Sequence, residues 1–244
     1  MNVSKPKIAY LLRGFHIIND NTIGVRAITT NSKHVTHYRY DTETLHNFYT
    51  QVYLNLSTIY EVDYYFVTYE SEIMSEFQYN TQKYMPNMNF IFIPRSHTNT
   101  SICTLLNGLE YIQSKNIQYQ RYIIQRNDMI FKQPALSWLP IYKTPGYVYY
   151  LFDEIGNVNR ISDNILCIDD ANIHNIISIF IECYHSPPGM ERFESFHGIL
   201  PILQKYYINI HPMIPGKYDT DTGYVNMTSN NPVYYLGGRY YHWK

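Results

Sequence analysis

Short apolar runs alternate with longer stretches of helical spacing through the first half of the chain, the pattern of buried strands joined by crossover helices. Lys7 to Leu12 reads as a first strand, closed by Arg13-Gly14, where glycine permits a tight turn and close approach to a ligand. From Asp41 to Tyr60, Leu45, Phe48, Tyr49, Tyr53 and Leu56 recur at helical spacing behind the capping-type Asp41-Thr42-Glu43. Val62 to Thr68 is then a second strand. Strand, helix and strand within this length imply parallel pairing through a right-handed crossover. Asn89 to Ile93 reads as a third strand, Ile102 to Ser114 as a helix, and Tyr122 to Gln125 as a further strand.

The regular alternation stops after Asp128. Gly146 to Phe152 and Ile165 to Ile168 are strand-like, and Asp170 to Tyr184 is helical by spacing. Pro187-Pro188-Gly189 breaks the chain, Arg192 to Tyr206 reads as another helix, and the tail from about His211, rich in Gly, Pro, Asn and Thr, reads as irregular. No repeat or low-complexity linker divides the 244 residues, so the expectation is one α/β domain over 1–244.

Composition narrows the function classes. The 19 Lys and Arg nearly cancel the 20 Asp and Glu, so no global field draws in nucleic acid or an anionic membrane. Cys103, Cys167 and Cys183 lie far apart without a metal-type spacing, and their odd number fits a reducing compartment better than a disulfide framework. No apolar run reaches the length of a membrane span, and the run from Ile8 is too short for a signal peptide. A soluble, cytoplasmic protein is expected. The 27 tyrosines read mainly as strand and core residues.

The chemistry concentrates in Arg121 to Phe131, where an apolar run ends in Arg126-Asn127-Asp128 and turns apolar again. A strand of this kind delivers one cation and one carboxylate to its carboxyl end, where ligands sit in open α/β sheets. An ionised Asp set against a nucleotide diphosphate needs a divalent metal or the adjacent guanidinium to mediate. The fragment suggests a metal-assisted sugar-nucleotide site, with a purely structural pair at a strand end as the competing reading.

Taken in order, these segments resemble glycosyltransferase-like proteins of polysaccharide and lipopolysaccharide synthesis, found in bacteria and large viruses. Ile8 to Gly14 looks like the opening strand and basic turn of that group, and Val62 to Thr68 like its second strand. Gln125 to Phe131 resembles its arginine-x-aspartate segment, Ile161-Ser162-Asp163-Asn164 its serine-aspartate segment, and Glu191 to Leu203 its less specific glutamate-led helix. The resemblance covers roughly residues 7 to 205. It implies a GT-A type fold, a Rossmann-like mixed sheet flanked by helices. It departs from the better-known pattern in carrying Arg-x-Asp where many members have Asp-x-Asp, which leaves metal dependence open.

By this resemblance Asp128 would bind the donor diphosphate through Mn²⁺ or Mg²⁺, with His242 as a late metal ligand. Arg13 and Gly14 would line the nucleotide pocket, and Arg126 would either contact the nucleotide or brace Asp128. Transfer with inversion needs a carboxylate to take the acceptor proton. Asp163 is the preferred candidate and Glu194 the second. Asp153-Glu154 is explained by turn chemistry, and the literal Asp219-Thr220-Asp221 lies in the tail with no buried strand before it. His197, in Phe196-His197-Gly198, is as open between roles as His242. The expected activity is sugar transfer from a nucleotide-diphosphate sugar to a glycan or glycolipid acceptor. The alternative is a non-catalytic carbohydrate-binding or glycan-assembly protein. A nucleotidyltransferase would need a glycine-rich loop after the first strand, and Arg13-Gly14-Phe15-His16 supplies one glycine.

Overall fold

Side-chain alternation along the first strand decides how the molecule is layered: Ile8, Tyr10 and Leu12 enter one buried cluster, Ala9 and Leu11 the other. A strand apolar on both faces must lie inside a sheet covered on both sides. The computed structural model describes residues 5–14, 17–19, 38–40, 42–71, 73–94, 101–139, 145–154, 164–185, 199–218 and 233–236.

In chain order the strands are β1 (Lys7–Arg13), β2 (Ile17–Asn19), β3 (Tyr38–Tyr40), β4 (Glu61–Tyr69), β5 (Met88–Ile93), β6 (Arg121–Arg126), β7 (Met129–Phe131), β8 (Val148–Tyr150), β9 (Asp153–Glu154), β10 (Ile165–Asp169), β11 (Ile210–Pro212), β12 (Lys217–Tyr218) and β13 (Tyr234–Leu236). The helices are α1 (Thr42–Phe48), α2 (Leu54–Ile59), α3 (Met74–Tyr84), α4 (Ser101–Ser114), α5 (Asp170–His185) and α6 (Ile199–Lys205). A π-helical turn, Tyr49–Tyr53, joins α1 to α2, so the expected first crossover helix is a single helical run with a local change of pitch.

Seven strands form the main sheet in the order β11-β8-β10-β6-β1-β4-β5. The strands β6, β1, β4 and β5 run parallel, and β10 is antiparallel to both of its neighbours, β6 and β8. This is the mixed α/β sheet flanked by helices that the sequence reading anticipates. The chain builds outward from β1 to β4 and β5, then returns through α4 to place β6 on the other side of β1. That reversal makes the β1/β6 boundary a topological switch point, where strand ends diverge and leave a crevice.

The cluster containing Ala9, Leu11, Val67 and Ile124 packs against α4 and α5 through Leu105, Leu109, Ile173 and Ile176. The opposite cluster, with Tyr10, Tyr64, Phe66 and Ile123, takes Phe48, Val52, Leu56 and Phe77 from the other helices. Each fully buried Leu, Ile or Phe contributes about 1.5–3 kcal/mol relative to exposure. Helix α4 lies tight against the sheet at Gly108. A Cβ there would lie 2.7 Å from Val67 Cγ2 and 2.9 Å from both Leu11 methyls. Gly108→Val is therefore expected to lose about 1–3 kcal/mol by overpacking, measured as a lower midpoint in urea unfolding.

Three departures from the sequence reading have clear causes. Helix α3, between β4 and β5, is not anticipated, because its apolar face is narrow: only Phe77 and Thr81 of its eleven residues are buried. The strand expected over 146–152 shortens to Val148–Tyr150, since Gly146 adopts φ +87° and leaves the extended region. In the tail, β11 joins the edge of the main sheet and β13 pairs with β7, where irregular structure is expected. The last expected helix is described from Ile199, and residues 192–198 lie outside the described residues. Among the described residues no helix is long and apolar enough to cross a membrane.

Candidate functional site

The carboxyl ends of β1 and β6 meet at the switch point. Arg13 and Arg126 are paired across the two strands, so both side chains leave the sheet on the face covered by α4. Two residues beyond β6, the Asp128 carboxylate receives both arms of the Arg126 guanidinium. Nε donates to Oδ1 at 2.9 Å and Nη2 to Oδ2 at 2.5 Å. The two side chains are 17% and 15% exposed, so the pair is largely shielded from water rather than lying on the open surface. Such a fork is directional and charge-assisted, which makes it stronger than an ordinary surface ion pair.

The backbone around the pair is held on every side. Asn127 N–H donates to the Arg13 carbonyl at 3.0 Å, and Arg126 N–H donates to the Asn164 carbonyl at 2.9 Å. Gly14 N–H reaches the Val67 carbonyl at 3.1 Å, with φ at +132°. Only glycine adopts that conformation readily. A Cβ on Gly14 would also sit 2.3 Å from Asn127 Oδ1, so the turn after β1 and the Arg-x-Asp turn touch. On the opposite face of β6, Tyr10 hydroxyl donates to Gln125 Oε1, and Gln125 Nε2 donates to the Arg126 carbonyl at 3.1 Å.

The segment after Asp128 is equally fixed. Asn47 brackets Phe131, donating from Nδ2 to its carbonyl at 3.0 Å and accepting from its N–H at 2.6 Å. Phe131 stacks on Trp138 with ring centroids 5.2 Å apart, and Leu236 of the tail pairs with Met129, the residue after Asp128. On the α4 side, Tyr69 lies near Arg13. Burial pushes its hydroxyl pKa well above the usual tyrosine value, and the Arg13 charge opposes that rise.

Of the sequence candidates, Arg13, Gly14, Arg126 and Asp128 are brought together at one strand edge. Asp163, Glu194 and His242 lie outside the described residues. Asn164, the next residue after Asp163, is tied by its carbonyl to Arg126. Gln125, Asn127, Asn164 and Asn47 were missed by the sequence reading. A polar Gln125 inside a buried apolar strand was the available signal, because such a group is retained only when its hydrogen bonds are met.

Of the two expected metal ligands, Asp128 is described and His242 lies outside the described residues. Mg²⁺ and related hard ions take about six oxygen ligands, usually with one or two carboxylates. At this edge both oxygens of Asp128 are engaged by the Arg126 guanidinium. Among the described residues no group of three His, Cys, Asp or Glu side chains is arranged to hold a metal ion.

The architecture places the chain in a known class of folds. It superposes on a nucleoside-diphosphate-sugar pyrophosphorylase from Vibrio cholerae RC9 with a TM-score of 0.50 and 14% identity, over 85% of this chain and 92% of that one. It superposes equally well on the glycosyltransferase GlyE of Streptococcus pneumoniae TIGR4, with a TM-score of 0.50 and 12% identity, over 86% of this chain and 45% of that one. The fold is therefore the Rossmann-like fold of nucleotide-diphospho-sugar transferases. No family model matches the sequence, and no curated protein matches it significantly.

Proposed function

We propose that the protein is a glycosyltransferase that binds a nucleotide-diphosphate sugar at the β1/β6 crevice and passes the sugar to a glycan or glycolipid hydroxyl. The observation that carries this reading is the forked Arg126–Asp128 pair beside Arg13 at the switch point of the sheet. A guanidinium whose plane is fixed by a fork of this kind has the chemistry to pair with a diphosphate, and Arg13 stands on the neighbouring strand. Gly14 lets the backbone approach the ligand closely.

In the reaction an acceptor oxygen attacks the anomeric carbon, the bond from that carbon to the diphosphate oxygen breaks, and its electron pair leaves with the nucleoside diphosphate. A carboxylate takes the acceptor proton, the role proposed for Asp163 or, second, for Glu194. The cationic edge stabilises charge on the leaving group as it develops.

A nucleotidyltransferase shares the fold, but the turn after β1 supplies Gly14 as the single glycine of Arg13-Gly14-Phe15-His16, short of a phosphate-cradling loop. The products separate the readings. Incubation with UDP-, GDP-, CDP- and dTDP-sugars and a mixed glycan acceptor is expected to release a nucleoside diphosphate and a lengthened glycan. Release of pyrophosphate from a nucleoside triphosphate and a sugar phosphate would identify nucleotidyl transfer. Glycan binding without turnover of any nucleotide sugar would identify a non-catalytic carbohydrate-binding protein.

A further inference from the structure

We infer that the cleft between α3 and the helical run of α1 with its π-helical turn binds a neutral sugar unit of a glycan, at a place separate from the β1/β6 crevice. The inference concerns binding alone and does not depend on the transfer reading above. The cleft has a volume of about 470 Å³, within the roughly 300–1,000 Å³ of small-molecule sites. It lies in the helix layer opposite α4, since Phe48 of α1 and Phe77 of α3 enter the cluster on the Tyr10 face of the sheet. Tyr49 and Tyr84 form its aromatic corner, with ring centroids 6.0 Å apart and planes inclined at 54°. Tyr84 is 62% exposed. Tyr49 is held from behind: its ring stacks on Tyr53 at 5.8 Å, and Tyr53 lies 4.6 Å from the buried Tyr64. A platform fixed to core rings loses little freedom when a ligand settles on it.

The chemistry of the walls selects the ligand class. A pyranose ring presents C–H groups on one face, which pack against the electron-rich face of an aromatic ring, while its edge carries hydroxyls that both donate and accept. Beside the two tyrosines stand Glu43 and His46 of α1 and Asn80 and Lys83 of α3. Lys83 Nζ donates to Asn80 Oδ1 at 3.2 Å and lies 4.3 Å from the centroid of the Tyr79 ring, so the position of the ammonium is set within α3. A carboxylate accepts about four hydrogen bonds and an ammonium donates three, which gives each a capacity beyond a single partner in the protein. Among the described lining residues one carboxylate is matched by one ammonium, so the walls carry no excess charge to draw a phosphate or an acidic ligand. A wholly apolar ligand would strip water from these groups without replacing its hydrogen bonds. A neutral sugar satisfies both the rings and the polar walls.

The test is titration of the whole chain, by calorimetry and saturation-transfer NMR, with the neutral trisaccharides maltotriose, cellotriose, xylotriose, mannotriose and triacetylchitotriose. At least one of these is expected to bind with a Kd on the order of 1 mM or tighter. Tyr84→Ala, which removes one ring of the corner, is expected to weaken that binding about tenfold or more. Tyr84→Trp keeps an aromatic face and is expected to hold the Kd within about threefold of the wild-type value. Both substitutions fall on an exposed helix position, so the fold is expected to stand, with a thermal midpoint close to that of the wild-type chain. Binding of none of the trisaccharides would overturn the inference. Binding that Tyr84→Ala leaves unchanged would overturn it as well, because the sugar would then sit elsewhere on the chain.

Discussion

Asp128→Ala is expected to lower kcat/KM for the nucleotide sugar about 100-fold, roughly 2.7 kcal/mol of transition-state stabilisation, while most of the fold stands. The carboxylate holds Nε and Nη2 of Arg126 at 2.9 and 2.5 Å. Without it the guanidinium keeps its charge but loses its fixed plane, and a cation that must reorganise during the reaction stabilises the leaving diphosphate poorly. Both side chains keep some contact with water, so the stability cost is smaller, about 1–2 kcal/mol. Asp128→Asn retains one acceptor and is expected to keep more activity. The measurement is steady-state kinetics with each variant beside its urea unfolding midpoint. Equal falls in kinetics and stability would reduce Asp128 to a strand-end brace.

The largest expected effect on folding lies at the other edge of the sheet. Arg121, which begins β6, and Asp169, which ends β10, pair with Nη1 to Oδ2 at 3.5 Å and are 7% and 3% exposed. Asp169 also caps α5, accepting from Asn172 N–H at 3.1 Å and from Asn172 Nδ2 at 2.8 Å, and it accepts from Gly146 N–H. One buried carboxylate thus joins β6, β10, α5 and the turn before β8. Arg121→Met would leave that carboxylate buried without its counter-ion, an expected loss of about 3–5 kcal/mol. Asp169→Asn in the Arg121→Met background removes the stranded charge and is expected to recover part of the loss. Denaturant unfolding of the two variants checks this. Nucleotide binding by the folded fraction should remain, because the pair sits at the end of β6 opposite the crevice.

Much of the sheet is legible in local pattern. β1, β4, β5, β6 and β10, with α4 and α5, fall within a few residues of the apolar runs and helical spacings that announce them. Local periodicity works there because each element is buried on a regular face. It fails for α3, whose buried face is two residues wide, and for β11 and β13, whose pairing partners lie far away in sequence. A short strand carries little propensity of its own and forms because a distant edge accepts it. The antiparallel insertion of β10 between β6 and β8 likewise follows from packing.

The site divides along the same line. Arg126 and Asp128 stand out in the chain as a cation and a carboxylate between apolar runs, and Gly14 as a glycine closing a first strand. That much the sequence determined by itself, since charged groups are left at the ends of buried strands and a tight turn selects glycine. Only the tertiary structure decided that β1 and β6 are neighbours, that Arg13 stands beside Arg126, and that Asp128 spends both oxygens on the guanidinium. The first two depend on strand order between groups more than a hundred residues apart and the third on angstrom-scale geometry within one turn, neither of which the spacing of residues along the chain carries.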